Sequence, residues 1–155
     1  MITREDIFEW ISWQDNYKDL YPGYSPDESN FTDEYYFDTR EGAVLFANQV
    51  ISVFETLASD PTIKIYRAIS AKSKLDINLE YLGDAWSFEM DSAVEFGSHN
   101  GSNFLITAET TPSNIDWEQS IKNYLEFSGN YEADDENELV IIDSSIINLK
   151  SIRPI

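Results

Sequence analysis

The chain has 155 residues, which fits a single domain, and 42% of them are hydrophobic, which is enough for a sizeable core. Its 10 Lys and Arg against 29 Asp and Glu residues give a net charge of −19 at pH 7. Direct nucleic-acid binding and docking on anionic membranes are therefore not expected, because both need basic residues. The lack of Cys and the single His argue against disulfides, thiolate nucleophiles and His-ligated metals. We expect an acidic protein of the cytoplasm.

Hydrophobic spacing changes character near residue 60. Before it, apolar residues recur at helical spacing, and Thr3 and Asp6 fit the capping box that begins a helix. After it, short aliphatic and aromatic runs separated by turn residues are typical of strands. The predicted elements are, in chain order, a helix over 4–20, a helix from 32 or 40 to 58, strands over 62–69 and 86–88, a helix over 91–96, a strand over 103–109, a helix over 115–127, and strands over 138–142 and 146–152.

This order of elements lacks the regular strand–helix alternation of parallel βαβ units. It predicts one α+β domain over residues 1–155. Residues 1–60 form a helical lead-in, and residues 61–155 form a core with a largely antiparallel sheet. The strand over 146–152 is predicted to lie at a sheet edge.

Two strands carry polar side chains between apolar neighbours. Arg67, in Ile65-Tyr66-Arg67-Ala68, is costly to bury without a partner, and its planar fork is suited to a phosphate or a ribose. Ser87 lies between Trp86 and Phe88. Without a His base this serine is a poor nucleophile, but its hydroxyl can hold a ligand or a carboxylate, and the flanking rings can stack on a planar group.

A pair of carboxylates, Glu136 and Glu138, precedes an aliphatic strand. Residues i and i+2 of a strand project to the same face, so the two are predicted to lie side by side. Such a pair is tolerated where a cationic group or transition state lies between the carboxylates. In a chain this acidic the pattern also arises by chance, in a solvated loop.

Taken in this order, the three segments resemble the ADP-ribosyltransferase fold of the Arg-Ser-Glu type, found in arginine-specific bacterial toxins and phage enzymes. The resemblance covers residues 62–153 and includes the small and aromatic positions Ala93 and Phe96 in the helix after the serine strand. It implies a mixed, mostly antiparallel two-sheet core. Two positions depart from the family pattern: Glu89 stands where a second Ser or Thr is usual, and Ala68 where Gly is often found.

The resemblance also implies roles for individual residues. NAD would be a substrate, and no metal would be needed. The acceptor would be an arginine side chain of a protein, and that protein is expected to be basic. An enzyme encoded by a phage would act in the host cytoplasm. Glu138 would stabilise the cationic ribose of the transition state, Arg67 would bind NAD phosphates or ribose, and Ser87 would orient Glu138. Glu136 would meet the acceptor. Trp86, Phe88 and Phe96 would contact NAD at its nicotinamide ring. Tyr131 and Glu136 would contact the protein substrate.

An alternative interpretation is a catalytically inactive acidic interaction protein. A charge of −19 fits an inhibitor that mimics DNA, or an immunity or adaptor protein that binds a basic partner. The two interpretations differ in one respect that can be measured. An enzyme loses function when Glu138 alone is changed, whereas a mimic or adaptor loses it gradually over many surface acids.

Overall fold

The computed structural model describes residues 40–128 and 137–155, together with Thr3 and Asp6. Thr3 N donates to Asp6 Oδ2 (2.8 Å) and Asp6 N donates to Thr3 Oγ1 (3.2 Å), so the predicted capping box forms. The rest of the predicted helix over 4–20 lies outside the described residues. Among those described, no helix combines the length and the apolar character needed to cross a bilayer.

Three helices and six strands make up the described part of the chain. Three short 3-10 turns connect them, at Lys74–Asp76, Pro112–Asn114 and Ser144–Ile146. In chain order the elements are α1 (Arg40–Ser59), β1 (Ile63–Ile69), β2 (Ala85–Ser87), α2 (Met90–His99), β3 (Phe104–Thr110), β4 (Ile115–Asp116), α3 (Trp117–Ser128), β5 (Glu138–Ile141) and β6 (Asn148–Pro154).

The six strands form one sheet in the order β4-β5-β2-β1-β3-β6, and all neighbouring pairs are antiparallel. The predicted α+β class and the edge position of the last strand are confirmed. The described residues form a single sheet instead of the two sheets that the resemblance implies. The reason is the long pairing of β1 with β3, which runs from Ile63 opposite Thr110 to Ile69 opposite Phe104 and joins both halves of the sheet.

Helix α2 ends three residues later than predicted, at His99, and the start of α3 differs from its predicted position by two residues. A helix was predicted from residue 115, but Ile115 and Asp116 form β4, opposite Ile141 and Val140 of β5. The Asp116 carboxylate accepts a hydrogen bond from Gln119 N (3.1 Å), which is the contact of a helix N-cap. Asp116 therefore ends the strand and begins the helix.

The core lies between one face of the sheet and helices α1 and α3. Phe54 of α1 is fully buried, and three rings surround it nearly edge-on. Their centroids lie 5.2 Å away for Tyr124, 6.2 Å for Phe88 and 6.4 Å for Trp117. This edge-to-face geometry is favourable for aromatic pairs. Phe54 therefore joins α1, α3 and the sheet into one packed layer.

Helix α2 packs against the opposite face of the sheet. It approaches β1 closely at Gly97, where a Cβ atom would lie 2.4 Å from the Cβ of Ala68. Only a residue without a side chain allows this approach. Because α2 covers only the Ala68 end of β1, the neighbouring half-buried Tyr66 and exposed Lys64 remain accessible beside it.

Candidate functional site

Three polar side chains that are far apart in the sequence form a row across the sheet. Tyr66 of β1 lies opposite Ser87 of β2, and Ser87 lies opposite Glu138 of β5. Directly opposed residues of antiparallel strands share a face. The three side chains therefore lie next to one another on the face that α2 partly covers.

This row borders a cavity of about 220 Å³ between the sheet and α2. The structure brings five of the predicted site residues to its lining. They are Arg67, Trp86, Ser87, Phe96 and Glu138. Side chains of α2, including Ala93, close the cavity on the helix side.

Arg67 is held against the loop that precedes β2. Its Nη1 donates to the carbonyl oxygen of Ala85, and its guanidinium lies against Gly83. A Cβ atom on Gly83 would lie 2.7 Å from the Arg67 Cζ, and Gly83 also has a φ of +89°. The positive φ favours glycine here, and a larger residue would displace the guanidinium of Arg67. A guanidinium has five N–H donors, so one bond to a carbonyl leaves donors for a ligand.

The hydroxyl of Ser87 has a different partner from the one that the resemblance implies. It donates to the Glu89 carbonyl oxygen (2.9 Å) and accepts from Glu89 N (3.1 Å). Its single proton is therefore committed to the turn that leads from β2 into α2. The predicted orientation of Glu138 by a Ser87 hydrogen bond is not seen in this structure, although the two residues are neighbours.

Asn123 of α3 holds the Glu138 carboxylate. Its Nδ2 donates to Glu138 Oε1 (2.9 Å), and its Oδ1 accepts from Gln119 Nε2 (2.8 Å). The second bond fixes which end of the amide faces the carboxylate. One turn earlier, Ser120 Oγ accepts from Val140 N (2.8 Å), so the same helix face secures β5 at two points. The sequence analysis missed Asn123, because nothing local indicates a partner fifteen residues away.

Asn137 fixes the entry of the chain into β5. It has a φ of 48°, a left-handed conformation that Asn tolerates better than most residues. Its Nδ2 donates to Ser92 Oγ of α2 (2.8 Å), and its carbonyl accepts from Phe88 N (2.9 Å). The strand β5 begins at Glu138, directly after this left-handed residue. Glu136 and Tyr131 lie outside the described residues.

The three predicted aromatic contacts divide into one at the site and two in the core. Phe96 of α2 lines the cavity and is 44% exposed, so its ring can meet a planar ligand. Trp86 also borders the cavity, but it is 1% exposed and its Nε1 donates to the Gly83 carbonyl (2.9 Å). Phe88 packs on Phe54. Trp86 and Phe88 thus take part in packing, and their contact with nicotinamide stays a prediction.

Among the described residues, no group of three or more His, Asp or Glu side chains converges as a metal site would require. Comparisons of the chain with family models, with curated proteins and with solved structures give no match. The residues and geometry of the cavity between the sheet and α2 are therefore the best indication of function.

Proposed function

We propose that the protein is a mono-ADP-ribosyltransferase that transfers ADP-ribose from NAD to an arginine side chain of a protein. One observation carries the proposal. Arg67, Ser87 and Glu138 come from three separate segments, and all three line one cavity. These are the residue types, in the chain order, on which the resemblance to the Arg-Ser-Glu transferases depends.

The reaction needs a negative group beside the ribose. When the bond between ribose C1′ and the nicotinamide nitrogen breaks, nicotinamide leaves with the bonding electrons and positive charge develops on the ribose. A fixed carboxylate stabilises that charge, and Glu138 takes this role, with its oxygen able to accept a hydrogen bond from the ribose 2′-hydroxyl. Its bond from Asn123 limits its rotation before NAD binds.

The remaining cavity residues match the other parts of NAD. Arg67 borders the cavity but, as the neighbour of Tyr66 on β1, projects from the other face of the sheet. In this proposal its guanidinium, anchored on the Ala85 carbonyl, offers its other N–H groups to a phosphate or ribose oxygen at the edge of the cavity near Gly83. Phe96 offers an exposed ring edge or face to nicotinamide. Ser87 shapes the floor of the cavity through its turn with Glu89.

The acceptor is a protein arginine in this proposal. As one nitrogen of the guanidinium forms the bond to C1′, the group gives up one proton to a nearby base, so the modified arginine keeps the single positive charge of a guanidinium. The resemblance assigns contact with the acceptor to Glu136. A net charge of −19 attracts basic proteins at long range and raises the rate of encounter with them.

The test uses NAD labelled in its adenylate phosphate and two polymers, polyarginine and polylysine. We expect label on polyarginine with the wild-type protein and none with Glu138→Gln. Glu55→Gln is the matched control, because Glu55 is an exposed glutamate on α1, away from the cavity. A well-folded wild-type protein that neither labels polyarginine nor releases nicotinamide would contradict the proposal and favour the acidic interaction protein.

A further inference from the structure

The polar row of the candidate site continues across the other half of the sheet. Tyr66 lies opposite Thr107 of β3, and Thr107 lies opposite Ser151 of β6. With Ser87 and Glu138 these side chains form one line over five neighbouring strands. Four inter-strand steps give this line a length of about 19 Å. It suits an elongated ligand better than a single ring.

A second cavity lies along the far part of this line. Its volume is about 360 Å³, and Tyr66 lines both this cavity and the first. The two cavities are thus neighbours on one face of the sheet. The second one is lined by Lys64 from β1 and by Lys150 and Arg153 from β6, together with the hydroxyls of Tyr66, Thr107 and Ser151.

The charge of this second cavity is opposite to that of the whole protein. Three cationic side chains line it, and one carboxylate, Glu109, lies 3.3 Å from Lys150 Nζ. The side chains of the lining therefore sum to 3 − 1 = +2, in a chain of net charge −19 that has 10 Lys and Arg in all. Arg153 Nη2 donates to Met90 Sδ at the start of α2 (3.2 Å), which holds its fork at the edge of the cavity.

We propose that this second cavity binds a phosphate group, and that the phosphate belongs to the same nucleotide whose other end occupies the first cavity. A phosphate accepts several hydrogen bonds, and cationic donors beside hydroxyls satisfy them. The overall negative charge disfavours a polyanion such as nucleic acid, which leaves a small phosphate compound. The assignment to a nucleotide rests on the proposed function, whereas the assignment to a phosphate does not.

The experiment measures the binding of inorganic pyrophosphate and of ADP-ribose by calorimetry at fixed ionic strength. The variants are Lys64→Gln and Arg153→Gln, and the control is Lys122→Gln, a partly exposed lysine on α3. We expect each cavity variant to lower both affinities about ten-fold, because a hydrogen bond to a charged group contributes about that much. The control should bind as the wild type does.

Two results would overturn the inference. If pyrophosphate does not bind, or binds the cavity variants as well as the wild type, the phosphate site is wrong. If the variants lose pyrophosphate but keep the wild-type affinity for ADP-ribose, the nucleotide is not the source of the phosphate. Failure of the proposed function gives a different result. The wild-type protein would then release no nicotinamide from NAD, but it would still bind pyrophosphate, and the cavity variants would still bind it more weakly.

Discussion

The two faces of the sheet illustrate different demands on the same strands. On the face toward α1 and α3, Ile63 and Ile65 of β1 pack beneath Phe54, and the side chains are apolar because they exclude water. On the face toward α2, the alternate positions of β1 are Lys64 and Tyr66. Because α2 covers only part of that face, these positions do not have to be apolar.

The difference separates residues that make the fold from residues that stand ready for a ligand. Burial explains the first face through the free energy of removing apolar area from water. On the second face, hydroxyls and a carboxylate on five strands fall into one line, with a cavity at each end of it. A substitution on the first face should change stability, and a substitution on the second should change binding or turnover. Four sets of variants, taken from the largest expected effect to the smallest, bear on this division.

The largest expected effect is on the apolar face. Phe54→Ala removes a fully buried ring that touches three others, and we expect the free energy of unfolding to fall by about 3–5 kcal/mol. Phe96→Ala is its counterpart on the second face, where the ring is 44% exposed. Urea unfolding should show a much smaller loss for Phe96→Ala, with a raised KM for NAD. Equal losses of stability in the two variants would contradict the division of the faces.

The next effect concerns the orientation of Glu138. Asn123→Ala removes the hydrogen bond to the Glu138 carboxylate. We expect kcat for nicotinamide release to fall by up to about a hundred-fold, because small errors in the position of a reacting group have effects of that size. The KM for NAD should change little. Gln119→Ala, which removes only the outer bond of the amide, should have a weaker effect in the same direction. A changed KM with an unchanged kcat would assign Asn123 to binding instead.

A smaller effect is expected at Arg67. Arg67→Ala should raise the KM for NAD about ten-fold, the size of one lost hydrogen bond to a charged group, while the melting temperature changes little. Arg67→Lys keeps the charge but loses the fork that reaches the Ala85 carbonyl, so it should restore only part of the affinity. A large loss of melting temperature with unchanged affinity would show that the arginine only anchors the loop at Gly83.

The smallest effect lies at the end of β5. The hydroxyl of Ser145, and after it the backbone N–H of the same residue, hold the pKa of the exposed Asp143 below its ordinary value. A lowered pKa in the folded state stabilises the protein at neutral pH, and that contribution is lost as the pH falls through the folded pKa. Ser145→Ala should therefore be slightly less stable than the wild type at neutral pH. Urea unfolding at several pH values should show the two converging in acid.

Strong periodicity made most of the fold predictable from the sequence. Strands β1 and β3 and the end of helix α1 were placed within one residue, because their apolar patterns are clear, whereas the apolar pattern leaves the start of α1 open between residues 32 and 40. The start of α3 was not placed correctly. Gln119 N donates a capping hydrogen bond to the Asp116 carboxylate, and this contact outweighed a helical pattern that includes Ile115. Local capping chemistry thus decided a boundary that hydrophobicity alone placed wrongly.

The site was predictable in its residue types but not in its contacts. Arg67 and Ser87 stand out because each is polar within an apolar strand, and Glu138 because it belongs to a Glu-x-Glu pattern at the start of an aliphatic strand. The register that aligns Ser87 with Glu138, and the bond from Asn123, depend on pairings between distant segments. Asn137 shows the same limit, because neither its left-handed conformation nor its hydrogen bond to Ser92 of α2 is indicated by the local sequence.

The most direct test of the central claim is the rate of nicotinamide release from NAD by Glu138→Gln, measured beside wild type and Glu55→Gln. The amide keeps the shape of the side chain and removes its negative charge. We expect a fall of about a hundred- to a thousand-fold, the cost of losing one group that stabilises transition-state charge, with no change in melting temperature. If Glu138→Gln released nicotinamide at the wild-type rate, the account would be contradicted, because the carboxylate at the end of the polar row would then have no part in the reaction.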